Sequence, residues 1–169
     1  MKELPVRKPN RLKGYNYSRK GTYFITICAK DRSELFGYVV GAVVNRPRYV
    51  ELTEIGHCIE REIHIMQNIR KNVTIDQYVI MPNHVHMILS ITKYSGRLTT
   101  DDSGRLTTAP TVSEIIRLWK RAVSKQLGFS PWQKSFHDHI IRNDIEYKNI
   151  SDYIENNPQK WEDECFYPK

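Results

Sequence analysis

The part of this sequence best suited to chemistry is the triplet His84-Val85-His86. The segment from His84 to Ile91 is apolar and β-branched and reads as a strand. Side chains alternate along a strand, so both imidazoles project from one face while Val85 enters the layer on the other. Two nitrogens on one face can hold a divalent ion. Met81-Pro82 before the pair and Met87-Ile88-Leu89 after it are apolar, which places two polar rings in a partly buried sheet. There they must be satisfied, either by a metal or by hydrogen bonds to their neighbours.

A second group follows near the end of the chain. Tyr153 and Asn157 stand four residues apart in a helical pattern and so share a face, one turn apart. A phenol, with a reference pKa of about 10, attacks phosphorus poorly unless a cation lowers that value, a base takes its proton or a metal polarises the phosphate. The Asn157 carbonyl oxygen could join two imidazoles in a three-ligand site that leaves positions open for substrate and water. Taken alone, Tyr153 reads equally as a core or surface aromatic. His137-Asp138-His139 repeats the His-x-His spacing on another β-prone segment and competes with the first pair. Tyr147 is the second candidate nucleophile.

The elements that must position these groups are legible from periodicity and punctuation. Thr22 to Cys28 reads as a central strand, and 36–44 with 49–52 as a hairpin turning at Asn45-Arg46-Pro47. Thr53 caps a helix to about Ile69 with Ile55, Ile59, Ile63 and Met66 on one face. Val73 to Met81 and His84 to Ile91 form adjacent strands around Pro82-Asn83. Thr111 with Glu114 opens a helix that places Ile115, Trp119 and Ala122 inward and ends near Gly128. Phe136 to Arg142 gives a last strand, and Asp144 caps a helix with Ile145, Ile150, Tyr153 and Ile154 that should stop before Pro158. This order predicts an α+β fold, a ferredoxin-like antiparallel sheet with helices packed on one face. Between the second strand pair and the second helix, Ser95-Gly96-Arg97-Leu98-Thr99-Thr100 recurs as Ser103-Gly104-Arg105-Leu106-Thr107-Thr108. So short a polar duplication reads as a flexible insertion over about 93–110.

Charge and cysteine usage bound the partners. Of the 26 basic and 19 acidic residues, nine basic and two acidic fall within residues 1 to 32, so the net charge of +7 is concentrated at the N-terminus. A basic arm over 1–20 carrying Tyr15 and Tyr17 can neutralise phosphates and offer rings to unpaired bases, although solvated basic tails are also common. Cys28, Cys58 and Cys165 follow no paired spacing, which argues against a disulfide framework or zinc knuckle and for reduced thiols. No apolar run approaches signal or membrane-spanning length, so a cytoplasmic protein with no membrane partner is expected. The domain assignment is an arm over 1–20, one catalytic domain over 21–161 and a tail over 162–169.

Met81-Pro82-Asn83-His84-Val85-His86-Met87, Trp132-Gln133, Ile140-Ile141-Arg142-Asn143 and Tyr153-Ile154-x-x-Asn157-Pro158, in this order and spacing, resemble the single-tyrosine HUH transposases (IS200-like), and within them most closely the REP-associated tyrosine transposases. The likeness extends from about Gly21 to Trp161. It implies a metal-dependent DNA strand transferase in which His84, His86 and Asn157 bind Mg²⁺ or Mn²⁺ and Tyr153 attacks a phosphate to leave a 5′-phosphotyrosine. It also implies single-stranded DNA with imperfect hairpins as substrate, and either a monomer or a homodimer. Arg142, Lys134, Arg117, Lys120, Arg121, Arg19 and Lys20 are the candidate DNA contacts. His139 could support the site or touch DNA. The rival readings are a DNA-binding protein of the same fold without activity, and a replication initiator or relaxase, which is normally a longer chain.

Overall fold

The computed structural model describes residues 20–41, 47–92, 99–100, 106–107, 111–163 and 166. Its strands are β1 (Gly21–Cys28), β2 (Gly37–Val40), β3 (Tyr49–Leu52), β4 (Val73–Met81), β5 (His84–Ile91), β6 (Thr99–Thr100), β7 (Leu106–Thr107) and β8 (His137–Ile141). Its helices are α1 (Glu54–Ile69), α2 (Val112–Leu127) and α3 (Asp144–Asn156), with 3-10 turns at Lys30–Arg32 and Asn157–Asp163. No helix among the described residues is long and apolar enough to cross a membrane.

Four strands form the main sheet in the order β4-β5-β1-β8, every neighbouring pair antiparallel. α1 connects β1 to β4 and α2 connects β5 to β8. Each helix therefore joins two parallel strands that have an antiparallel strand between them, which is the split βαβ plan of the ferredoxin-like fold expected from the sequence. β5 is central and buried over nearly its whole length, in keeping with its continuous apolar run.

Alternation assigns the two faces. Tyr23, Ile25 and Ile27 of β1 and Val85, Met87 and Leu89 of β5 pack with Ile59 and Ile63 of α1 and Ile115, Trp119 and Val123 of α2 in one core. The opposite face carries a smaller cluster of Ile88, Ile141 and Ile154, with Phe24, Val79, Tyr147, Ile150 and Tyr153 against it. The helix layer on one face is thus α1 with α2, while α3 lies across the other. Ile154 is the only buried residue of α3, and Ile145 at its start is 76% exposed.

Local signals behave as the sequence suggests at α1 and α2. The Thr53 side chain accepts from Gly56 N, Thr111 accepts from Glu114 N, and Gly128 ends α2 at φ 76°. Gly56 is required for a further reason: a Cβ there would stand 2.0 Å from the Phe36 carbonyl oxygen, so only glycine lets α1 approach that loop. At α3 the cap is Asn143, accepting from Glu146 N, and not Asp144, which is the first helical residue. α3 ends at Asn156, just before Pro158 as expected, and the chain runs on into the 3-10 segment Asn157–Asp163. Gln159 in this segment donates to Arg48 O (2.6 Å) and accepts from Arg48 N (3.0 Å), fastening it to the start of β3. The duplicated segment is less irregular than expected, since β6 from the first copy pairs with β7 from the second. Cys28 and Cys58 are buried; Cys165 and the arm over 1–19 lie outside the described residues.

Candidate active site

His84 and His86 project from the α3 face of β5, opposite Cys28 and Thr26 of β1 and opposite Met81 and Val79 of β4. They are 0% and 1% exposed, and their ring centroids are 4.4 Å apart. Burial holds the His84 imidazole at a pKa of about 3, against a smaller upward pull from the Asn157 amide. His86 is also held well below the ordinary histidine range, first by burial and then by His84 beside it. Both rings are neutral at physiological pH, the protonation state in which imidazole ligates metals.

The neighbours of His84 fix its tautomer. Asn83 Nδ2 donates to the carbonyl oxygens of Arg32 (3.2 Å) and Phe166 (2.7 Å), and a carbonyl can only accept, so the orientation of the Asn83 amide is determined. Its Oδ1 then faces His84 Nδ1 at 2.9 Å, which places the proton on Nδ1 and a lone pair on Nε2. His84 Nε2 is buried and finds no hydrogen-bond partner among the described residues. A buried ring nitrogen of this kind, with the Asn157 side chain as its neighbour, calls for a water, an ion or a substrate group to satisfy it. The Arg32 carbonyl reaches Asn83 because Asp31 and Arg32 adopt left-handed conformations (φ 55° and 56°), which cost a non-glycine residue about 1–2 kcal/mol.

His86 is oriented from two sides. Its Nδ1 lies 2.9 Å from Thr26 Oγ1, its Nε2 lies 3.3 Å from the Tyr153 hydroxyl, and the Phe24 ring stacks on it at 5.1 Å. Tyr153 therefore meets the histidine pair within one chain. Asn157, one turn further on, is 0% exposed and bears on the His84 ring. Among the described residues no group of three His, Cys, Asp or Glu side chains could hold a metal. Trp161 and Phe166 complete the enclosure, with ring centroids 5.9 and 4.4 Å from that of His84. The Arg32 guanidinium lies 5.8 Å from the Phe166 centroid.

The remaining candidates are distributed elsewhere. Tyr147 packs on the α3-side cluster, where burial and then Asp76 push its phenol pKa up, which makes it harder to ionise. His137 and His139 share the imidazole-bearing face of the sheet but stand on the edge strand β8, aligned with Thr26 and Phe24. His139 is engaged by Glu146 at 2.6 Å, and that carboxylate is held low by the Arg142 backbone N–H and then by His139. Lys20 and Arg142 flank the paired ends of β1 and β8, at the end of β1 remote from Cys28 and His84. Lys134 is exposed in the loop before β8. Arg117, Lys120 and Arg121 ride on α2, across the sheet from the histidines, so they do not join Arg142 in one groove with the site. Arg117 forks onto Glu114 (2.5 and 2.9 Å), and Lys120 donates to Gln133 O at 2.6 Å. Arg19 lies outside the described residues.

Sequence reasoning missed Asn83, read only as a turn residue. Its place immediately before the first histidine was the available signal, but its role depends on two carbonyls brought in from Arg32 and Phe166.

A split βαβ sheet thus carries an imidazole pair on the face that α3 covers, with a phenol delivered to it by the helix after the last strand. No family model matches the chain. An uncharacterised protein of Haemophilus influenzae is 34% identical over 173 residues, spanning 95% of this chain and 93% of that one. A REP-associated tyrosine transposase, solved bound to a REP hairpin, superposes at TM-score 0.60 with 25% identity, over 89% of this chain and 74% of that one. A Deinococcus radiodurans chain described as a candidate transposase gives TM-score 0.46 at 15% identity, over 86% and 95% of the two chains, a likeness too slight to carry weight. The chain is similar to a tyrosine transposase in fold and sequence, which supports a transposase-like DNA-processing function.

Proposed function

We propose that this protein is a divalent-metal-dependent DNA strand transferase that cleaves and rejoins single-stranded hairpin DNA through Tyr153. The observation that carries the reading is the His84 Nε2 lone pair, buried, aimed and flanked by His86 and Asn157, with a phenolic oxygen 3.3 Å from the second imidazole. Two imidazole nitrogens and one amide oxygen would hold a divalent ion with room left for phosphate and water oxygens, and of Mg²⁺ and Mn²⁺ it is Mn²⁺ that tolerates imidazole better. When bound, such an ion would supply Lewis-acid polarisation of phosphate oxygens.

The protein's own groups account for the rest. The Tyr153 oxygen attacks phosphorus and loses its proton as the new P–O bond forms. The bond from phosphorus to the 3′ oxygen breaks, and that oxygen takes up a proton to become a hydroxyl. The product is a 5′-phosphotyrosine, which conserves the ester so that a 3′-hydroxyl can attack it later without a nucleotide cofactor. His86 Nε2 cannot hold a metal and the phenol at once, so the hydrogen bond seen here is a parking position that the phenol leaves when the site is loaded. Tyr153 lies 3.3 Å from His86 of its own chain, which supports action within one subunit.

Hairpin DNA as substrate is supported by the REP hairpin bound in the similar transposase. The test is a labelled single-stranded hairpin with unpaired flanks, incubated with Mn²⁺ and resolved under denaturing conditions. A covalent adduct that is absent in Tyr153→Phe supports the transferase. Tight hairpin binding with no adduct at any metal concentration overturns it and leaves a DNA-binding protein of the same fold.

A further inference from the structure

β4 and β5 pair regularly except at one point: Ile75 faces Leu89, and the next matched pair is Gln77 with Ile88, so Asp76 is an extra residue in a β-bulge. Strict alternation from Ile75, which is in the α1/α2 core, would have sent Gln77 into that core as well. The bulge instead turns both Asp76 and Gln77 to the α3 side. There Asp76 accepts from Ser90 Oγ at 2.6 Å. Gln77 Nε2 donates to Ser151 O at 3.2 Å, and Gln77 Oε1 accepts from Ser151 Oγ at 2.6 Å.

Ser151 lies in α3, two residues before Tyr153. A serine inside a helix commonly turns its hydroxyl back to the carbonyl four residues earlier. Here the hydroxyl reaches outward to Gln77, so it serves a tertiary contact. That contact adds a directional polar grip to an apolar seat: Ile154 is the one fully buried side chain of α3, with Tyr147, Ile150 and Tyr153 partly buried beside it, and apolar packing fixes a helix's register less sharply than hydrogen bonds do. Gln77 also stands one row along β4 from Val79, the residue opposite His86.

We infer that Gln77 is a positioning residue for Tyr153: its side-chain amide, aimed by the Asp76 bulge, grips Ser151 at two points and sets the register in which the phenol meets His86. This rests on the reading of Tyr153 as nucleophile. The grip touches neither substrate nor metal, so its loss leaves binding intact and misplaces the attacking oxygen. A displacement of the order of 1 Å costs about 100-fold in rate.

Two measurements on the full chain test it. In the metal-free protein the ¹⁵N resonance of His86 Nε2 reports the phenol; Tyr153→Phe sets the shift for its loss, and Gln77→Leu and Ser151→Ala are expected to move the resonance the same way. With the labelled hairpin and saturating Mn²⁺, both variants are expected to form adduct about 10- to 100-fold more slowly while hairpin Kd stays within about twofold. The double variant should be no slower than Gln77→Leu, because Ser151→Ala removes one of the two hydrogen bonds that Gln77→Leu already removes. If Gln77→Leu does not fold, Ser151→Ala carries the same test. A His86 resonance unmoved in the variants overturns the inference, as does an adduct rate unchanged or lowered only through Kd. If the unaltered protein forms no adduct, the strand-transfer reading falls, and the resonance alone decides whether Gln77 places the phenol.

Discussion

Replacing Asn83 by alanine tests how the His84 lone pair is prepared, without touching a candidate ligand. The substitution removes the acceptor 2.9 Å from His84 Nδ1 and both donors that anchor the amide on Arg32 O and Phe166 O. Groups that hold the far nitrogen of a metal-bound imidazole are worth about 10- to 100-fold in metal affinity, which is about 1.4–2.8 kcal/mol at about 1.4 kcal/mol per tenfold. The hydrogen bond itself contributes about 0.5–1.5 kcal/mol net, so a loss at the upper end would require the ring to adopt the other tautomer as well. Titrating Mn²⁺ and following the free ion by electron paramagnetic resonance measures the affinity. Asn83→Asp separates the two functions of the amide, because a carboxylate still accepts from Nδ1 but cannot donate to the two carbonyls. The expected order is Asp close to the unaltered protein and Ala about 10- to 100-fold weaker. An alanine variant within twofold of the unaltered protein, or an aspartate variant as weak as the alanine one, would refute the reasoning.

Three further outcomes are expected. Since the folded-state pKa values of His84 and His86 are depressed below 6.5, the unfolded chain binds more protons at low pH. Their contribution is therefore complete above about pH 6.5 and is lost as pH falls toward the folded values. Urea unfolding should show about 1 kcal/mol lost per histidine between pH 7 and 5.5, a slope largely removed in a folded double variant lacking both rings. Phe166→Ala should speed carbethoxylation of His84 and His86 several-fold, read by mass spectrometry; an unchanged rate would mean that the ring does not close the site. Tyr147→Phe should leave adduct yield intact where Tyr153→Phe abolishes it, and the reverse pattern would move the nucleophile to Tyr147.

The legible part of this protein is the part whose causes are local. Alternation through His84-Val85-His86 gave the shared face of the imidazoles and the inward Val85, and four-residue spacing put Tyr153 and Asn157 on one side of α3. Thr53 and Thr111 announced their helices because a cap acts within three residues. What sequence reading lost depends on distant chain. Val73–Met81 looks like a regular strand, and only pairing with β5 exposes Asp76 as the extra residue. Helical period groups Ile145 with the apolar residues of α3 but does not say how far the sheet reaches beneath that end, where Ile145 is 76% exposed. The basic stripe on α2 suggested a DNA groove, yet its apolar side fixes it to the sheet face away from the histidines, where Lys120 is spent on Gln133 O.

The central claim is that two imidazoles from β5 and an amide oxygen from the end of α3 converge on one cation. Pulsed electron paramagnetic resonance of Mn²⁺ bound to protein containing ¹⁵N-histidine tests it most directly. Coupling to two imidazole nitrogens is expected, falling to one in His84→Ala or in His86→Ala and unchanged when His137 and His139 are both replaced. Bound Mn²⁺ with no nitrogen coupling, or coupling that disappears with His137 and His139, would contradict the account.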